Sequence, residues 1–397
     1  MTTIDTKWPV VQLDEVCDIL KRGINPQREP SSTFAHYSLP AFDSTAGPQI
    51  ELGETIKSQK TIIENGVVLV SKLNPRIPRV WLIEDEQKYQ RICSTEFVPL
   101  RCNTKRLNNS FLAYALRHSL TTGQIVGSTS AATKSRERVR PTDFLRLKVH
   151  IPPLEEQRRI VDILARAEGI VRLRREAQKK AEEIIPALFL YIFGDPATNP
   201  KGLAKAELGK FLSFITSGSR GWAKHYAPEG ARFLRSLDVQ MNNISDQNAV
   251  YVNPPEGAET NRTRVKEGDV LLTITGSQIG RVAAVPEAIA GSFISQHVAI
   301  LRLKPGVSPI FLSLFLSMDT GGQREISRLQ YGQTKPGLNL SQIRKFVIPV
   351  PPMPLQQKFV VQMNQLRSIL QLQADAVKQV EATFDALLAR AFSTTNT

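Results

Sequence analysis

A chain of 397 residues is long enough for two or three domains, each with its own core. Its formal charge of +14 and pI near 9.8 point to a polyanionic partner, above all nucleic acid, although charge alone also fits a basic soluble protein. Three cysteines without paired spacing (Cys17, Cys93, Cys102) exclude a disulfide framework and indicate a reducing compartment, and no apolar run reaches the roughly 18 residues that span a bilayer.

The N-terminal MTTIDTKWPVVQLDEV lacks the basic region and apolar core of a signal peptide, so the expectation is a cytoplasmic protein without membrane contact. TIIENGVVLV (61–70) is β-branched and broken by glycine, which predicts strands and a turn. SKLNPRIPR (71–79) follows with Lys72, Asn74, Arg76 and Arg79. EDEQK (84–88) contains Glu86-x-Lys88, a fragment of a metal-nuclease pattern that reads as a charged surface turn. A helix is expected near 108–120. SAATKSRERVR then places Lys134, Arg136, Arg138 and Arg140 before the last strand of this half, LKVHI, which ends at Pro152-Pro153.

Proline is tolerated in a first helical turn, and a long helix follows. Spacing of three and four picks out Ile160, Ile163, Ala167, Ile170, Arg174, Ala177, Ala181, Ile184 and Leu188. This predicts a coiled-coil seam, preferred over packing of the helix on its own domain because about 30 residues, near 45 Å, outrun a domain of 150. Pro186 is expected to kink or end the helix near its last turn.

In the second half, NPPE (253–256) resembles the Asn-Pro-Pro-aromatic motif of adenine methyltransferases, but Glu256 replaces the aromatic residue that would stack on a flipped base. No glycine-rich cofactor loop precedes it, so it reads as a proline turn. VKEGDVLLTIT (265–275) again predicts a strand, and TGSQIGR (275–281) carries Ser277, Gln278 and Arg281. A counterpart helix is expected near 308–317. SRLQYGQTKPG (327–337) supplies Arg328, Gln330, Tyr331, Gln333 and Lys335 before the strand KFVIPV and a second double proline.

The halves are copies. Setting residue n against n+199 from Leu147/Phe346 to Phe193/Phe392 gives 12 identities in 47 pairs, where about three are expected by chance. Among them are Pro152/Pro351, Gln157/Gln356, Ile170/Ile369, Glu182/Glu381 and Phe193/Phe392. NGVVLVSKLNPRIPRV also matches EGDVLLTITGSQIGRV, STEFVPLR matches SQHVAILR, and FLAYAL matches FLSLFL, at offsets between about 199 and 202. Such a period is too long for a solenoid and describes a whole domain plus a helix. The second seam is Phe359, Gln362, Leu366, Ile369, Gln373, Ala376, Val380, Thr383 and Leu387. Arg174 and Gln373 occupy the midpoints, and an antiparallel pair would bring them together as a polar layer that fixes register.

Nothing in the sequence carries a reaction. The histidines (His36, His118, His150, His225, His297) have no metal-ligand spacing and a P-loop is absent. Side chains that suit a DNA groove recur instead at matched positions with different residues. Arg, Lys, Asn and Gln bind base edges bidentately, and Ser, Thr and Lys suit phosphates. A duplicated scaffold with divergent loops is what two different half-target readers require.

On LKVHIPPLEEQRRIV and KFVIPVPPMPLQQKFV, each before a long helix, with FLYIFGD and TGSQIGRVA, the chain closely resembles the specificity subunit of type I restriction-modification enzymes. The resemblance implies an α+β fold: two duplicated target-recognition domains separated by two long antiparallel coiled-coil helices with pseudo-twofold symmetry. The expected domains are 1–150, a central conserved helix 151–196, a second recognition domain 197–350 and a C-terminal conserved helix 351–397. It further implies a non-catalytic subunit that reads a bipartite double-stranded DNA target in bacterial or archaeal phage defence. Its partners would be two methyltransferase subunits and motor-nuclease restriction subunits, which carry the S-adenosylmethionine, ATP and Mg chemistry, leaving this chain with no cofactor and no metal. A coiled-coil scaffold with non-specific nucleic-acid binding is the alternative. Taken as a ruler, the helices predict an unread gap of roughly 5–8 base pairs between half-targets.

Overall fold

The computed structural model describes residues 8–118, 121, 123–125, 138–218, 220–332 and 337–392. The chain divides into two compact units, Met1–Arg175 with Asp375–Thr397, and Glu176–Ala374, built on one plan.

In the first unit, the run VLVS forms strand Val68–Ser71, buried along its whole length. It lies in an antiparallel sheet ordered Cys17–Ile19, Phe97–Cys102, Val68–Ser71, Val80–Leu82. Because successive side chains point to opposite faces, Val68 and Val70 join a core with Phe111, Leu112 and Leu116, while Leu69, Trp81 and Phe97 join a second core with Tyr37, Ile83 and Cys93. That second core is covered by a five-stranded sheet in which Thr33–Tyr37 and Gln90–Ser94 run parallel. A short pair, Val10–Gln12 with Lys148–His150, closes the unit where the chain enters its double proline.

The second unit repeats this arrangement. Its sheet runs Leu212–Ser217, Val298–Leu303, Val270–Thr273, Val282–Ala284, and Lys205–Glu207 pairs with Val347–Pro349 before the second double proline. Gly66 and Gly268, matched in the duplication, precede the central strand with φ of 82° and 76°, a left-handed turn that glycine adopts without cost.

The expected short helices are Asn109–Arg117 and Pro309–Ser317. Asn108 and Ser308 cap them, each side-chain oxygen accepting from the backbone N–H of Phe111 or Phe311. The glutamine shared by both double-proline motifs fastens these helices to the long ones. Gln157 is fully buried. Its Oε1 accepts from the Asn108 N–H at 2.7 Å, and its Nε2 donates to the carbonyls of Arg106 (2.9 Å) and Pro152 (2.8 Å). Gln356 does the same with Ser308 N–H (2.8 Å), Gly306 O (3.1 Å) and Pro351 O (2.8 Å). One amide thus satisfies three backbone groups that burial would otherwise strand.

The long helices are Leu154–Glu182, followed by Ile184–Phe193, and Met353–Phe392. The first breaks at Glu183, where Pro186 cannot donate to the carbonyl of Glu182. The second, with Asp385 at the matching position, runs 40 residues without interruption. Each unit holds the start of one helix and the end of the other. In the first unit Phe392 packs on Phe111 at 5.1 Å and Arg175 pairs with Glu381 at 2.6 Å. Glu168 meanwhile accepts from Tyr114, whose ring lies 6.5 Å from Phe384. Following one helix back from Arg175 therefore follows the other forward from Glu381, so the two run antiparallel there. In the second unit Phe193 packs on Phe311 at 4.9 Å and Phe359 at 5.1 Å.

The expected seam is corrected at this point. Ile163, Ile170 and Ile184 are 40%, 50% and 48% exposed, as is Ile369 at 54%. The buried stripe is instead Gln157, Ile160, Leu164 and Val171, with Ala167 packed beside it. It faces the unit's own sheet and short helix as well as Phe384 and Leu388. Packing on the domain, passed over in favour of a coiled coil, thus claims the start of this helix. Arg174 is exposed in the first unit and Gln373 is half-buried in the second.

Candidate nucleic-acid interface

Three segments distant in sequence meet at one end of the central sheet in each unit. In the first unit they are the loop after Ser71, the turn at Ser94–Glu96 and the backbone at Arg138–Val139. The Lys72 N–H donates to the Glu96 carbonyl at 2.9 Å, the Val139 N–H donates to the Lys72 carbonyl at 3.0 Å, and Ser71 N–H closes the loop on Arg79 O at 3.0 Å. Leu73 bridges to Arg138.

The second unit reproduces every one of these bonds. Ile274 N–H donates to His297 O at 2.9 Å, Leu338 N–H to Ile274 O at 2.9 Å and Thr273 N–H to Arg281 O at 2.8 Å. Thr275 bridges to Gly337. Asn74 and Gly276, again matched, both take positive φ, 48° and 86°. Asparagine is among the few side chains that accept this region, so backbone shape alone accounts for the residue type at Asn74. The frame is shared and the side chains on it differ.

The expected contact residues fall on this frame with different states. Lys72 and Asn74 are half-buried on the first loop and Arg76 is exposed. Arg79 is held by Asp43 at 2.7 Å and Arg138 by Glu96 at 3.0 Å. In the second unit Ser277 is exposed, Gln278 and Arg281 are half-buried, and Gln330 is exposed after the helix Gly322–Leu329. Tyr331, 54% exposed, pairs through its backbone with Gly337 at 2.9 Å in both directions. A side chain at 337 would meet the Tyr331 ring at 3.0 Å, so glycine lets the ring lie over the backbone. Lys134, Arg136, Gln333 and Lys335 lie outside the described residues.

Sequence reasoning missed the turn. Ser94–Glu96 and Ser295–His297 entered only as the start of two matched segments, yet they supply the carbonyl that holds the first loop in each unit. The available signal was the change from Thr95-Glu96 to Gln296-His297 at the start of aligned segments. Cys93, just before the turn, is a filler: burial pushes its thiol up to about 12, which leaves it protonated and unreactive. No group of three or more metal-ligating side chains occurs among the described residues, and no described helix is long and apolar enough to cross a membrane.

A family profile described as the type I restriction modification DNA specificity domain matches residues 5–183 and 231–382, the two copies read from the sequence. The chain belongs to this family. As a DNA specificity subunit of a type I restriction-modification system, it is a non-catalytic component of a larger complex. It is 20% identical over 409 aligned positions to the putative type I restriction enzyme MjaX specificity subunit of Methanocaldococcus jannaschii, covering 95% of this chain and 91% of the relative. It is also 20% identical to the MjaVIII specificity subunit of the same organism, covering 73% and 71%. Its fold is similar to a chain solved in work on complex assembly and conformational transition of the type I R-M system, with a TM-score of 0.64, 23% identity and 99% of both chains covered. It is similar also to the type I S subunit from M. genitalium, with a TM-score of 0.52, 15% identity and coverage of 98% and 96%.

Proposed function

We propose that each unit reads one half of a split double-stranded DNA target through its three-segment end. The observation that carries this is the identity of the backbone frame beside the difference in its side chains. The first unit offers Lys72, Asn74, Arg76, Arg79 and Arg138, the second Ser277, Gln278, Arg281, Gln330 and Tyr331. Two copies kept to read the same bases would have no use for this divergence. Lys134 and Arg136, and Gln333 and Lys335, complete the third segment in sequence. Arginines held by Asp43 and Glu96 are pre-oriented, and bidentate pairing with a guanine edge suits them.

The long helices support docking of partner subunits. Ile170 and Leu173 (60% exposed) in the first unit, and Ile369 and Leu372 (70%) in the second, are identical pairs in the duplication that leave large apolar side chains in water. Exposed apolar patches mark interaction sites, and the same patch presented twice fits two copies of one partner. We assign that partner as the methyltransferase subunit, with motor-nuclease subunits joining for cleavage. S-adenosylmethionine, ATP and Mg belong to those partners in this reading, and the complex works in the cytoplasm on chromosomal and invading DNA.

Selection of bound duplexes from a randomised library by the assembled complex tests the reading. The expected product is two short fixed sequences around an unread gap. Enrichment of no sequence, with affinity tracking salt alone, would overturn it in favour of a non-specific scaffold.

A further inference from the structure

The second unit contains a polar chain that reaches from beneath the sheet end to its surface. Gln296 Nε2 donates to His297 Nε2 at 3.1 Å, and the other ring nitrogen, Nδ1, meets Thr275 Oγ1 at 2.5 Å. With Nε2 accepting, the ring carries its proton on Nδ1 and donates it to Thr275. The threonine hydroxyl keeps its own proton for a further acceptor. His297 is exposed, Gln296 and Thr275 half-buried.

Neighbouring positions in the sequence also carry polar side chains. Among the described residues the hydroxyls of Thr273 and Ser295, residues 0% and 8% exposed, and the Gln296 Oε1 are buried without a hydrogen-bond partner. The matched turn of the first unit differs in kind. There Glu96, at the His297 position, accepts from Arg138 with Oε1 at 3.0 Å. A carboxylate offers acceptors only, whereas the amide–imidazole–hydroxyl chain offers donors and acceptors together.

Resting on the half-target reading above, we infer that Gln296 and His297, positioned by Thr275, are specificity-determining residues of the second unit. They face one or two adjacent base pairs, with Glu96 the diverged counterpart in the first unit. Among the described residues their side chains bond one another and Thr275 and no core group, so their removal is compatible with folding.

The test is library selection with the assembled complex carrying Gln296→Ala, His297→Ala or, as the near-isosteric variant that keeps the packing, Thr275→Val. The expected result is lost or changed preference at one or two adjacent positions within one half. Affinity for the wild-type target should fall about 5- to 150-fold, with the other half and the gap unchanged. An unchanged selected target at wild-type affinity, or equal weakening on every sequence, overturns the inference. Failure of the wild-type complex to select any sequence instead overturns the half-target reading on which it rests.

Discussion

At the scale of single residues, the glutamine of the double-proline motif shows how a polar side chain earns a place in a core. Gln157 and Gln356 are buried at identical junctions, where an amide alone offers one acceptor and two donors in the required directions. Gln157→Leu would strand an N–H and two carbonyls. We expect the first unit to lose about 2–4 kcal/mol in chemical denaturation, and Gln157→Glu to be destabilising too, because a carboxylate cannot donate. Wild-type stability in Gln157→Leu would show that the amide is dispensable. Pairing of the two copies made this residue visible in the sequence, but its bonds to Asn108 N–H and the Arg106 carbonyl were not, since those partners, 49 and 51 residues away, depend on how the chain returns.

At the scale of elements, the sequence announced the central strands and the double-proline junctions, because local signals specify them: β-branched runs broken by glycine, and proline after a strand. The long helix was misassigned by its face. Two apolar stripes at spacing three and four share Ile160 and Ala167. One continues through Leu164 and Val171 into the core, the other through Ile163 and Ile170 into water. Periodicity finds both and cannot tell which partner each serves, and the polar Gln157 disguises the buried one. The same ambiguity yields a prediction. Ile170→Asp and Ile369→Asp should each leave folding intact and remove one methyltransferase subunit from the complex, with the double variant losing both. Mass measurement of intact complexes reads this out, and full assembly with the double variant would contradict partner docking at these positions.

At the scale of the molecule, the duplicated frame was legible as a repeat near 200 residues, whereas the meeting of loop, turn and third segment was not. Those contacts link residues such as Lys72, Glu96 and Val139, whose proximity comes from sheet order rather than spacing. The helices carry a further expectation. Met353–Phe392 is 40 residues long, about 60 Å at 1.5 Å per residue. Four residues inserted after Arg175 add about 6 Å, close to two base pairs. The unread gap should lengthen by about that amount with both halves unchanged, and altered bases at an unchanged gap would contradict it.

The claim that each unit reads its own half is tested most directly by sequencing methylated sites in cells whose complex carries Ser277→Ala with Gln278→Ala, beside cells with the unaltered chain. The account predicts a two-part site in the unaltered cells, and in the variant a relaxed preference confined to one part, worth about 1–3 kcal/mol per lost base contact. A single uninterrupted site, or relaxation of both parts together, would contradict it.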